Sequence, residues 1–269
     1  MEISSISQRL QILETVKKAG RGHIGPAFSL VEIFRYLYER KVDIGAIRSQ
    51  NEYRDRVVLS KGHGCLALYC QLSSVGILDP ALLKTFCQFD SHLGGHPERN
   101  LPLGIEASTG SLGHGLSLAV GMAKAIQIKK SSCRVYCILG DGECNEGSVW
   151  EAALAAAKHK LSNLWIIVDR NGLQSYGSTE IVCPMGDLAN KWKAFGFWVS
   201  QADGHNLDSI DEGFRQLETS TSSSPKVLIC KTVKGCGVSR MENNPDWHHT
   251  NKLLESDYRD MVHELNKFR

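Results

Sequence analysis

Val135-Tyr136-Cys137-Ile138-Leu139 runs into Gly140-Asp141-Gly142, and after an Ala-rich segment from Gly147 to His159 a second run, Leu164-Trp165-Ile166-Ile167-Val168, ends in Asp169-Arg170-Asn171. Both runs are apolar throughout instead of alternating, the pattern of strands inside a parallel sheet covered by helices on both faces. With a helix between them they form a βαβ unit, and the fold class is α/β, a parallel sheet flanked by helices. Ligands of such sheets sit beyond the carboxyl ends of the strands, where Asp141 stands. Asp-Gly is also a common tight-turn dipeptide, so Asp141 alone does not decide the matter. Asn171 adds a second observation: it lies thirty residues further on, the length that one helix and its return strand require. Two hard oxygen donors then face one cleft. That pair suits Mg²⁺ or Ca²⁺, and Mg²⁺ is usually held by one or two protein groups together with phosphates and water. A diphosphate-bearing ligand is implied. The spacing matches neither Gly-x-x-x-x-Gly-Lys-Ser/Thr nor Gly-x-Gly-x-x-Gly, which sets aside both common nucleotide-binding loops.

Working outward, Val227–Lys231 reads as a third buried strand, after a helix around Leu207–Leu217 and a Ser/Thr-rich connection at 219–224. A last helix is expected over about 252–267. Toward the N-terminus, Ile3, Ile6, Leu10, Leu13 and Val16 recur at helical spacing up to Gly20-Arg21-Gly22. A second helix is expected from about Ser29, and a short strand Val57–Leu59 leads into Ser60-Lys61-Gly62-His63-Gly64. From Leu112 to Ile128 the Ala, Gly and Leu content suggests a buried helix packed closely on a neighbour.

The 269 residues fit one large domain or two tightly joined ones. Hydrophobic residues at 42% and charged residues at 22% exclude a disordered, fibrous or coiled-coil chain. Lys and Arg total 31 against 29 Asp and Glu, so the net charge of +2 gives no bulk attraction to nucleic acid or anionic lipid. No apolar run approaches the roughly 20 residues of a bilayer span, and the start Met-Glu-Ile-Ser-Ser is unlike a secretory signal. A cytoplasmic location is the default expectation, with the nine cysteines reduced and structural.

Histidines form the other constellation. His23, His63, His96 and His114 each sit in a glycine-rich loop, and His248 follows Trp247. A single histidine is more often a structural hydrogen-bonding residue than a catalyst. Loop placement favours function, and the absence of zinc-type Cys/His spacing favours a cleft in which imidazoles meet polar substrate oxygens.

These residues resemble a known family. Gly140-Asp141-Gly142 followed by Asn171 looks like the thiamine diphosphate and metal-binding motif. Together with Ala107-Ser108-Thr109-Gly110-Ser111-Leu112-Gly113 and Ser60-Lys61-Gly62-His63, it is similar to transketolase, in the family's order from His23 to His248. Full-length transketolases are more than twice this long, so the chain resembles only their N-terminal, diphosphate-binding (PP-type) domain. The resemblance implies a single thiamine diphosphate-binding domain over residues 1–269, with the pyrimidine-binding half on a separate C-terminal subunit and two copies of each chain. It further implies transfer of a two-carbon ketol unit from a ketose phosphate to an aldose phosphate, as in the pentose phosphate pathway.

By the same resemblance Asp141, Asn171 and the Leu173 carbonyl would ligate Mg²⁺ or Ca²⁺, while Gly110, Ser111, Leu112 and Gly142 would contact thiamine diphosphate. His63 and His248 would bind its diphosphate side, and Asp169 would orient a cofactor-side histidine such as His248. His23 and His96 would line the substrate channel and assist proton transfer. Glu146 would support the partner's activating glutamate, within an apolar patch around Gly110–Gly121 and Glu146–Trp150. Arg170 stands where the family motif often has a second Asn, His114 where Gln is usual, and Ile24 where Pro is common. His249 beside His248 leaves two candidates for one role; Trp247 before it favours His248. Two other readings remain open: a transketolase-like subunit for an unusual sugar, and a non-catalytic thiamine diphosphate-binding protein, against which the channel histidines argue.

Overall fold

Strands β1 (Arg56–Leu59), β2 (Val135–Gly140), β3 (Leu164–Arg170), β4 (Trp198–Asp203) and β5 (Lys226–Lys231) form one five-stranded sheet in the order β1-β2-β3-β5-β4. Every pairing is parallel. The computed structural model describes residues 2–220, 223–249 and 252–268. Successive side chains of β2 and β3 point to opposite faces. Tyr136, Ile138, Trp165 and Ile167 enter a core built with the helices Ile3–Ala19, Val31–Tyr36, Cys65–Ser74, Leu207–Glu218 and Glu255–Asn266. Val135, Cys137, Leu139, Leu164, Ile166 and Val168 enter a second core beneath His114–Ile128, Gly147–Lys158 and Leu188–Ala194. Two buried faces explain why neither run alternates.

The expected βαβ unit and the strands Val57–Leu59 and Val227–Lys231 are present. Gly20, at φ +73° with its N–H on the Val16 carbonyl, ends the first helix where the sequence breaks. The second helix differs from expectation: a short turn, Ile24–Phe28, precedes Val31–Tyr36, which continues into a wide helical turn, Leu37–Lys41. The last helix starts at Glu255. Residues 221 and 222 of the Ser/Thr-rich connection lie outside the described residues.

The segment expected to be a buried helix is buried on one side only. Gly115, Leu116, Ala119 and Ala123 face the core, whereas Leu118 is 44% and Ile128 69% exposed. Close packing is realised at Gly115, where a Cβ would lie 2.5 Å from that of Ser60, and not at Gly121, which has open space in front of it. All nine cysteines are free. Among the described residues no helix is long and apolar enough to cross a membrane.

Candidate active site

The register of β2 on β3 sets Gly140 against Asp169, so the next residue, Asp141, leaves the sheet beside the end of β3. Its carboxylate is 5% exposed; Oδ1 accepts the Gly142 N–H at 2.9 Å and Oδ2 the Gly172 N–H at 2.7 Å. Burial, and then the nearby Asp169, push this carboxyl up to about 6 against those two donors. Asn171 is 8% exposed, with Oδ1 accepting the Leu173 N–H at 3.0 Å. Asp141, Asn171 and Leu173 line a single cleft of about 350 Å³ together with Gly110, Leu112 and Gly142. Ser111 is exposed and outside the cleft wall, as is His114 at the start of its helix.

The imidazoles converge on the same cleft, which His23, His63, His96 and His248 line. The His23 ring lies 5.7 Å from both His63 and His96, 5.5 Å from His248 and 4.6 Å from His249, while His63 and His248 are 5.2 Å apart. Burial, followed by His249 and His96, lowers His23 to about 3. Burial and Lys234 lower His248 to about 3, and burial and Lys61 hold His63 well below its ordinary range. Near neutral pH these rings are uncharged, the state in which each nitrogen can donate or accept.

That cluster carries a stability cost in acid. The unfolded chain protonates His23 and His248 near their ordinary 6.5 while the folded chain resists down to about 3, so the unfolded state binds more protons across that window. Stability is expected to fall as the pH drops below about 6.5, each imidazole adding at most about 1.4 kcal/mol per pH unit. Urea denaturation at pH 5 and pH 7 checks this: His248→Asn should flatten the dependence, and an unchanged slope would refute it.

Asp169 does not orient His248. It is fully buried behind the cleft, where Oδ2 accepts from Ser29 Oγ at 2.6 Å, from Lys61 Nζ at 2.5 Å and from Asn171 Nδ2 at 3.2 Å, and Oδ1 accepts from Thr232. Against the effect of burial, Lys61 holds this carboxyl below its ordinary value. His248 is served instead by Lys234, whose Nζ is 2.6 Å from Nδ1, with Ser175 Oγ 3.3 Å from Nε2. A protonated Lys234 donates to Nδ1 and leaves the ring proton on Nε2. Burial and then Lys61 bring Lys234 down to about 7. His248 lines the cleft while His249 is exposed.

Sequence reasoning missed three groups: Lys61, Lys234 and Glu143, each at most 2% exposed and each in the cleft wall. Lys and Glu in glycine-rich loops read as solvated, and only the fold buries them. Glu146 stands at the exposed rim, at the head of the helix Gly147–Lys158.

The residues fit a metal-bound diphosphate. The candidate donors would be the Asp141 carboxylate, the Asn171 amide oxygen and the Leu173 main-chain carbonyl, all hard oxygens suited to Mg²⁺ or Ca²⁺. Among the described residues there is no group of three or more His, Cys, Asp or Glu able to hold a metal. A divalent cation would offset the buried Asp141 charge, and the Gln174 Nε2 donor in the cleft wall is buried with no protein partner. Glycine keeps the cradle open: a Cβ on Gly62 would stand 2.9 Å from the Gly110 nitrogen, and one on Gly110 would press on His96.

A parallel α/β sheet with oxygen donors and neutral imidazoles around one cleft at its carboxyl edge defines a diphosphate-cofactor-binding domain. The family model described as "Transketolase, thiamine diphosphate binding domain" matches residues 3–265, and the chain belongs to the transketolase family as that domain. It is 40% identical over 267 residues to one of the subunits of the apulose-4-phosphate transketolase from Phocaeicola vulgatus, covering 99% of this chain and 94% of that protein. A 6-deoxy-6-sulfo-D-fructose transketolase subunit from a Clostridium species is 39% identical over 95% of this chain and 92% of its own length. The crystal structure of transketolase from Campylobacter jejuni superposes with a TM-score of 0.86 at 29% identity, over 99% of this chain. The chain spans only 43% of that structure's length.

Proposed function

We propose that this chain is the thiamine diphosphate- and metal-binding subunit of a split transketolase. With a separate pyrimidine-binding subunit, two copies of each, it would move a two-carbon ketol unit from an anionic ketose to an aldose phosphate. The observation that carries this reading is the meeting of Asp141, Asn171 and Leu173 with His23, His63, His96 and His248 in one cleft. Asp141, Asn171 and the Leu173 carbonyl would hold the divalent ion. His63, Gly110, Leu112 and Gly142 would contact the cofactor. When bound, thiamine diphosphate supplies the nucleophilic carbon and the electron sink for breaking the bond beside a ketose carbonyl. His23 and His96, uncharged, hold and move protons at the hydroxyl and carbonyl oxygens of the sugar.

Two features favour a separate partner. The matched relatives are named as subunits and are covered over nearly their whole length. Leu118 and Leu154, on the helices His114–Ile128 and Gly147–Lys158 that start beside Glu146, are 44% and 60% exposed. The relatives' names also favour an unusual anionic sugar over the pentose phosphate pair.

The test is two-carbon transfer by the two-subunit complex, with apulose 4-phosphate, 6-deoxy-6-sulfofructose and an ordinary ketose phosphate as trial donors. His23→Ala and His96→Ala should cut kcat, or raise the KM for the donor, by roughly 10- to 10⁴-fold. Cofactor affinity should stay within a few-fold. Loss of cofactor binding with donor kinetics otherwise intact would place these rings in the wrong role, and no transfer from any ketose would refute the reading.

A further inference from the structure

Three of the loops that wall the cleft meet at one buried carboxylate. Glu143 lies on the single helical turn Gly142–Asn145 and is 2% exposed. Oε1 accepts the Ser60 hydroxyl at 2.5 Å and the Gly113 N–H at 2.9 Å, and Oε2 accepts the Gly140 N–H at 3.1 Å. All three partners are donors, which matches an ionised carboxylate, an acceptor at both oxygens. Each partner belongs to a different part of the cleft. Ser60 opens the loop that carries Lys61 and His63, Gly113 closes the loop that carries Gly110 and Leu112, and Gly140 immediately precedes Asp141.

Two of the loops meet backbone to backbone, since a Cβ on Gly62 would stand 2.9 Å from both the Gly110 nitrogen and the Thr109 carbonyl carbon. A Cβ on Gly113, which has φ +82°, would lie 2.3 Å from Ser148 Oγ and 2.7 Å from the Glu146 Cβ. At such close approach the loops' relative register depends on hydrogen bonds, that from Thr109 Oγ1 to the Leu59 carbonyl at 2.6 Å among them, and a buried carboxylate with satisfied partners is a rigid way to fix it. Glu143 is neither one of the oxygen donors proposed for the metal nor part of the imidazole cluster.

We propose that Glu143 is a positioning residue that locks the Ser60–Gly64, Gly110–Gly113 and Gly140–Gly142 segments into one register for the cofactor, and through Gly113 sets the place of Glu146 at the rim. The proposal rests on the thiamine diphosphate reading for its effect on affinity, and on geometry alone for its effect on the loops. Glu143→Gln keeps the shape and one acceptor oxygen but turns an NH₂ toward a backbone N–H. Ser60→Ala removes one donor and leaves the carboxylate in place.

The experiment uses the full chain, ligand-free for hydrogen exchange and with thiamine diphosphate and Mg²⁺ for calorimetry, alone and with its partner subunit. In Glu143→Gln the segments 60–64 and 109–115 should exchange faster, and thiamine diphosphate affinity should fall roughly 10- to 100-fold. Ser60→Ala should move both readouts in the same direction by less, and it carries the test if Glu143→Gln does not fold. Leu217→Ala, in the core on the helix Leu207–Glu218, lowers melting temperature without touching the loops and should leave both readouts unchanged. Unchanged exchange and affinity in the Glu143 and Ser60 variants, or an equal loss of affinity in Leu217→Ala, would overturn the proposal. Failure of the wild-type complex to bind thiamine diphosphate would defeat the functional reading, while the exchange experiment would still decide the role of Glu143 in the loops.

Discussion

Asp141→Ala is expected to weaken binding of thiamine diphosphate with Mg²⁺ by at least about 100-fold while the ligand-free chain stays folded. Loss of a partner that merely orients a metal ligand costs about 10- to 100-fold in affinity, and Asp141 is the one carboxylate among the proposed ligands, so its removal should exceed that range. The fold should tolerate the change because this carboxyl is pushed up to about 6 by burial and by Asp169. Ionised at pH 7, it opposes folding, and alanine relieves that cost. Its two backbone donors, Gly142 and Gly172, lose an acceptor in exchange. The melting temperature without ligand should therefore change little, and that with cofactor and Mg²⁺ should lose its ligand-induced rise. Asn171→Ala should act in the same direction and less strongly, since it removes a neutral donor. Calorimetric titration of both folded variants across Mg²⁺ concentrations checks this, and an unaltered metal dependence in both would contradict the assignment.

Much of this site is legible in the sequence for a simple reason. Asp141 and Asn171 follow two unbroken apolar runs, and a parallel βαβ unit places the ends of its strands side by side whatever the rest of the chain does. The convergence of four imidazoles has no such local signal, because His23, His96 and His248 come from distant loops; the family resemblance supplies it. Lys61 and Lys234 escape notice because their burial depends on contacts to Asp169, 108 residues from Lys61, and to Gln174, 60 residues from Lys234. The same long-range pairing explains the misplaced role of Asp169, which Lys61 occupies from behind while Lys234 takes His248.

The fold shows a parallel division. β4 has no sequence signal because it is an edge strand with Trp198, Gln201 and Asp203 facing outward, so its composition resembles a loop. Cys65–Ser74 is hidden for the opposite reason: it is buried all round, with Gln71 and Ser73 inside as well, and so shows no amphipathic period. The Ala and Gly content of His114–Ile128 suits close packing on every side; half of that surface is left open in this chain, at Leu118, Gly121 and Ile128.

That open face bears on the largest expected effect, the dependence of activity on a second chain. The proposed roles of Asp141, Asn171, Leu173, His23, His63 and His96 cover the metal, the cofactor and the sugar's proton transfers. Glu146, which the family resemblance assigns to the partner's activating glutamate, stands exposed at the rim with Leu118 and Leu154 displayed on the two helices nearby. The most direct test is two-carbon transfer from an anionic ketose to an aldose phosphate, measured with thiamine diphosphate and Mg²⁺ for this chain, for a pyrimidine-binding partner chain, and for the two together. The account predicts no detectable transfer by either chain alone and full activity from the pair, which should elute as a stable complex on size exclusion; full activity from this chain by itself would contradict it.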